Sequence, residues 1–135
     1  MKRTHGITLI EMVVVVGIIG ILGAIAYPSY MERALRAKRT DAKAALINIA
    51  GQQEKFFLQN NAFTDELSAL GVETTQNEFY TLTLSDVTAS TFTATATAAT
   101  GQDRDTDCNE LAIDQLGRRS ATDSGDNDNS KECWR

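Results

Sequence analysis

Histidine is almost missing from this chain of 135 residues; His5 is the only one. Reactions that depend on an imidazole base are therefore nearly excluded. Cysteine is scarce as well. Cys108 and Cys133 have 24 residues between them, form no CxxC motif and have no histidine nearby to complete a zinc site. Pro28 is the only proline and Trp134 the only tryptophan. Neither a glycine-rich phosphate loop nor a nucleophile–base pair stands out. These gaps leave a non-catalytic protein, with no cofactor and no metal expected.

What is present is unevenly spread. From Ile7 to Tyr27 run 21 residues with a single charge, Glu11, whereas the remainder is markedly polar. Residues 1–43 carry seven Lys/Arg against three acids, a net of +4; residues 44–135 carry six against fifteen, a net of −9. An excess of acid repels a phosphate backbone, so no nucleic acid is expected as a partner. Asp103, Asp105 and Asp107 have the opening spacing of a calcium loop, and Asp123, Asp126 and Asp128 form a second acidic group. An EF-hand loop needs glycine at its sixth position and glutamate at its twelfth, where this chain has Cys108 and Asp114. The match fails, and both groups read as solvated acidic surface, with a weak calcium site as the alternative.

Three readings fit the N-terminus. Lys2 and Arg3, the apolar run and the small-x-small site Ala24-Ile25-Ala26 suit a secretory signal. As a transmembrane helix, 21 residues rise about 31 Å, close to the thickness of a hydrocarbon core. Neither reading accounts for Glu11, an acid that needs a partner in lipid. The block Gly6-Ile7-Thr8-Leu9-Ile10-Glu11, however, resembles the class III signal of the type IV pilin family. The resemblance implies cleavage between Gly6 and Ile7 by a membrane-embedded prepilin peptidase, which then methylates the amine of Ile7. Ile7 departs from the family's usual phenylalanine. Glu11 matches the family's assembly glutamate, so the resemblance pairs it with the N-terminal amine of a neighbouring subunit. Because Ile7 and Glu11 are four residues apart on one helix face, a pair within one chain is the alternative. Export behind such a signal favours a Cys108–Cys133 disulfide, which stabilises by roughly 3 kcal/mol; free or redox-active thiols are the alternative.

Gly17, Gly20 and Gly23 weaken the helix, Gly20-x-x-x-Ala24 permits close helix approach, and Pro28 removes a backbone donor. They describe a segment able to kink or melt on assembly. Residues 28–58 continue as a helix whose apolar stripe holds Ala42, Ala45, Leu46, Ile49, Gln53 and Phe56. Arg33, Arg36, Lys38, Arg39 and Lys43 read as a solvated face, or as contacts with headgroups and acidic neighbours. Asn60-Asn61 ends the helix, and Thr64 caps a short helical turn that stops at Gly71. Period-two alternation follows at 80–84 and 91–97, with further strands around Leu111–Ile113 and 118–122.

The expected fold is therefore α+β, a long N-terminal helix with its first half transmembrane and its second half packed on three or four antiparallel strands. The expected division is a leader at 1–6, a membrane or filament-core helix at 7–27, and a periplasmic domain at 28–135. That domain comprises helix 28–58, connecting loop 59–78, and sheet and disulfide loop 79–135. The string Cys108 to Gly117 and the ending Glu132-Cys133-Trp134-Arg135 resemble PilE-like minor pilins. The resemblance implies a single-pass inner-membrane precursor moved to the surface pilus, priming assembly and so serving twitching motility and adhesion. Its implied partners are the prepilin peptidase/methylase, the major pilin, other minor pilins and the inner-membrane assembly machinery. A major pilin, a type II secretion pseudopilin and a secreted binding protein are the alternatives.

Overall fold

The computed structural model describes residues 7–135; Gly6, on one side of the expected cut, lies outside the described residues. Two compact units divide the chain, one ending at Ala34 and the other spanning Leu35–Arg135. Helix α1 runs Leu9–Asn60 and contains Pro28. Its early residues include Val13–Val16, β-branched side chains that lose rotamer freedom in a helix and favour it weakly in water. In lipid the preference is different, because a chain with no water must satisfy its own backbone groups and a helix does so. By length and composition α1 is able to cross a membrane, with a mean hydropathy of 2.7 over an 18-residue window.

The unit Leu35–Arg135 is built on the later turns of α1, where Ala42, Ala44, Ala45 and Ala50 favour helix strongly. Asn61 ends the helix with a positive φ of 55°, and its N–H donates to the Phe57 carbonyl at 2.7 Å. A 3₁₀ turn at Leu67–Leu70 closes at Gly71, whose φ of 67° suits a residue without Cβ. This turn is shorter and tighter than the expected α-helical one. The turn also starts later than expected: its N-cap is Glu66, with no side-chain capping bond, and Thr64 instead accepts the Glu66 N–H through its hydroxyl at 3.2 Å.

Strands β1 (Tyr80–Ser85), β2 (Thr93–Ala98), β3 (Glu110–Asp114) and β4 (Arg119–Thr122) form one antiparallel sheet in sequential order, followed by the short helix α2 (Ser130–Cys133). Alternation divides the sheet. Tyr80, Leu82, Ala94, Ala96, Leu111, Ile113 and Ala121 join Ala42, Leu46 and Ile49 of α1 in the core, whereas Thr81, Thr83 and Ser85 stay exposed. Burying each large core side chain contributes about 1.5–3 kcal/mol over leaving it in water. Gln53 sits in the apolar stripe because both ends of its amide are paired. Its Nε2 donates to the Thr64 carbonyl at 2.6 Å, and its Oε1 accepts the Thr64 N–H at 3.1 Å. That pair ties the helix to the following loop, while Phe63 stacks between Phe57 and Phe92, with centroids 4.9 and 4.8 Å away.

Candidate functional site

The first unit offers an apolar surface with one acid. Its large side chains face outward, from 47% exposed at Val15 to 82% at Leu9. Gly17, Gly20 and Gly23 have nothing within 4 Å of the place a Cβ would occupy. Among the described residues no contact therefore demands their small size. At the start of α1, the Glu11 N–H donates to Thr8 Oγ1 at 3.3 Å, and the Thr8 N–H donates to a Glu11 carboxylate oxygen at 3.4 Å. This reciprocal capping box satisfies two of the free donors at the helix start, where the helix dipole also favours an anion. The Thr-x-x-Glu spacing carries that signal in the sequence, where Glu11 was expected to pair only with an amine at Ile7.

In the second unit two charged groups, Arg39 and Asp105, are buried as an ion pair. Arg39 Nε and Nη2 donate to the two Asp105 oxygens, each at 2.6 Å, with side chains 7% and 1% exposed. Gln102 Nε2 donates to the same carboxylate at 2.8 Å and to the Leu35 carbonyl at 3.2 Å; the Cys108 N–H donates to it at 3.2 Å. The bond to Asp105 raises the Arg39 pKa against the opposing effect of burial. Tyr80 lies nearby, its hydroxyl buried and without a hydrogen bond of normal geometry. Burial foremost, with the Asp105 charge behind it, pushes this hydroxyl up to about 12, and Gln102 is close enough to oppose the rise.

These contacts correct two expectations. Arg39 belongs to no solvated face, and Asp105 belongs to no solvated acidic surface. A fork of donors facing a carboxylate over 66 residues of separation carries no local pattern, so sequence reasoning missed it. The acidic triplet is dispersed as well: Asp103 accepts the Gly101 N–H at 3.1 Å, and the Asp107 side chain is largely exposed. Among the described residues no group of three or more metal-ligating side chains gathers.

Cys108 and Cys133 are joined by a disulfide. Through the Cys108 N–H it adjoins the Arg39–Asp105 pair, and through Cys133 it holds the C-terminal segment. The Trp134 indole donates to the Ser120 carbonyl at 2.8 Å, with the Arg119 guanidinium 5.2 Å from the ring centre. Lys43 Nζ donates to the Arg135 carbonyl at 2.9 Å. Burial, then the charges of Arg39 and Arg119, lowers the Lys43 pKa. A cleft of about 140 Å³ here is lined by Arg36, Lys43 and Arg135, with Glu132 as the local counter-charge. Cations thus gather at one end of a domain whose net charge is negative.

A family profile described as type IV minor pilin ComP, DNA uptake sequence receptor, matches residues 28–112. The prokaryotic N-terminal methylation motif matches residues 1–27. Among solved structures, the non-core minor pilin PilV of Neisseria meningitidis is similar at 24% identity and a TM-score of 0.59, covering 70% of this chain and 93% of that one. A type IV pilin from Shewanella oneidensis is similar at 20% identity and a TM-score of 0.50, covering 63% of this chain and 89% of that one. These likenesses concern the fold. No curated protein sequence matches significantly.

Proposed function

The chain belongs to the type IV minor pilin family matched over residues 28–112 and carries the N-terminal methylation motif, and from this premise we propose that it is a non-catalytic pilus subunit that helps prime filament assembly. The observation that carries the reading is the first unit, whose large apolar side chains are exposed among the described residues. Such a surface requires lipid before assembly and like helices after it. The precursor sits in the inner membrane with residues 28–135 in the periplasm, is cut between Gly6 and Ile7, and gains a methyl group on Ile7. Glu11 then exchanges its Thr8 contact for the Ile7 amine of a neighbour, since leaving either charge unpaired in a low-dielectric bundle is costly. Gly17, Gly20, Gly23 and Pro28 let the segment bend or melt in the fibre. Adhesion and twitching motility follow from a correctly assembled filament.

Mass spectrometry of the mature chain tests the processing, with methylated Ile7 as the expected first residue. Sheared fibres are expected to contain trace amounts of the protein, and a deletion strain to lose surface pili or twitching. An intact leader in functioning cells would overturn the proposal.

A second reading, reception of DNA, comes from the family's description and from the cationic end formed by Arg36, Lys43, Arg119 and Arg135 beside Trp134. The acidic excess of residues 44–135 opposes it. Gel-shift titration of the full chain with duplex DNA at rising salt decides between them. Binding that weakens with salt and with Arg119→Ala supports reception; absence of binding at low salt leaves the structural role alone.

A further inference from the structure

Five cations, Arg33, Arg36, Lys38, Arg39 and Lys43, fall within eleven residues beyond the apolar run. The fold treats them differently. Arg33 and Arg36 stay exposed, and Arg36 approaches Glu132 only at 4.0 Å. The other three are taken up. Lys38 Nζ donates to the Gly101 carbonyl at 2.6 Å and lies 4.4 Å from the centre of the Phe79 ring. Arg39 is buried against Asp105, and Lys43 Nζ donates to the Arg135 carbonyl. Each oxygen that accepts from these three belongs to residues 101–135, across separations of 63, 66 and 92 residues. The Cys108–Cys133 disulfide ties that stretch together, three residues after Asp105 and two before Arg135.

Until residues 101–135 take their places, the run lacks these oxygen partners. Glu32 and Asp41 offset two of its five cations, which leaves residues 32–43 at a net of +3. A basic stretch beside a membrane span is drawn to anionic headgroups, and each Lys or Arg adds to the hold. A guanidinium sealed against Asp105 cannot also lie on a lipid phosphate. Folding and lipid binding therefore compete for the same side chains.

We propose that residues 33–43 bind an anionic phospholipid surface before the domain is complete, and that docking of residues 101–135 strips Lys38, Arg39 and Lys43 from the headgroups. This rests on the reading that the first unit is inserted in a membrane. Arg33 and Arg36 are open to the surface in both states; the three consumed cations are open in only one. A surface that holds the unfolded chain more tightly lowers stability, and folding in turn loosens the hold. At about 1 kcal/mol for each of three cations, the folded-to-unfolded ratio shifts on the order of a hundredfold.

The test uses the full chain inserted in vesicles of phosphatidylcholine alone or mixed equally with phosphatidylglycerol. Urea unfolding, followed by Trp134 fluorescence, reads the ratio in each. At low salt the anionic vesicles are expected to lower it on the order of a hundredfold, and high salt to erase the gap. Lys38→Gln with Lys43→Gln shrinks the gap by more than about tenfold. Arg33→Gln, a cation that folding does not consume, weakens the hold on both states alike and leaves the gap in place. Each variant is compared with itself in the two lipids, so a general loss of stability does not imitate the effect. Equal unfolding in both vesicles, a gap that survives high salt, or a gap that Arg33→Gln closes as far as the paired lysine substitutions overturns the proposal. Flotation separates the two failures. A chain that floats with neither vesicle overturns the membrane reading and this proposal with it, whereas one that floats with both and shows no gap overturns this proposal alone.

Discussion

The two units of this chain solve opposite problems with the same apolar residue types. Between Ile7 and Tyr30 the large side chains face outward, and the charged group Glu11 bonds at its own helix start with Thr8. Between Leu35 and Arg135 the apolar groups close on one another, and the charge pair Arg39–Asp105 is sealed inside. The first unit keeps its stabilisation for whatever surrounds it. The second holds its stabilisation internally and is tied by covalent and ionic links. A change to one is therefore expected to alter assembly, and a change to the other to alter stability.

The largest test of that contrast is Asp105→Ala, which strands a buried guanidinium. It is expected to lower unfolding stability by about 3–5 kcal/mol. Replacing both partners, Arg39→Met with Asp105→Leu, should recover much of the loss. Denaturant unfolding of the detergent-solubilised chain, followed by Trp134 fluorescence, reads both values; equal loss in single and double variants would contradict an ionic role. Next comes Cys108→Ser, expected to reduce stability by roughly 3 kcal/mol by releasing the loop to Cys133.

Glu11→Ala sharpens the comparison from the other side. Removing a capping-box partner costs roughly 1 kcal/mol at the helix start, yet the unfolding midpoint of residues 35–135 should not move. Filament incorporation, read by immunoblot of sheared fibres, should fall. A variant that incorporates like the native chain removes Glu11 from assembly.

The smallest effect is on pH. Against a desolvation that raises it, bonds from Arg118 and from the Leu116 N–H hold the Asp114 carboxyl below its usual value. Asp123 is lowered foremost by the Asn127 N–H, and Asp128 by the Ser130 hydroxyl. All three are depressed in the folded state, so their stabilisation is complete above the ordinary carboxylate value of about 4 and fades as pH falls through the lowered values. A slight decline in melting temperature on acidification is expected, and Asp114→Asn should flatten part of it.

Much of the architecture was legible in local pattern. Tyr80, Leu82, Ala94 and Ala96 alternate with threonines and take the inner face that alternation implies. Ala42, Leu46, Ile49 and Gln53 follow helical spacing and line the core. The capping box at Thr8 and Glu11 was equally legible, though it calls for reading the acid as a backbone partner as well as a charge. The burial of Arg39 and Asp105 was not legible: a basic run beyond an apolar helix looks solvated, and only the approach of the 102–108 loop gives Arg39 a buried carboxylate. The cations near Trp134 stayed hidden for a related reason, since net charge averages over a surface that the fold divides.

The sequence by itself determined the apolar first unit, the alternating strands and the N-terminal motif, because periodicity and hydropathy act between near neighbours along the chain. Only the tertiary structure decided which charges are sealed and which gather in the open. Those outcomes depend on contacts across 66 residues between Arg39 and Asp105 and 92 between Lys43 and Arg135. Coulomb interactions and desolvation act through distance in space, which the order of residues does not state.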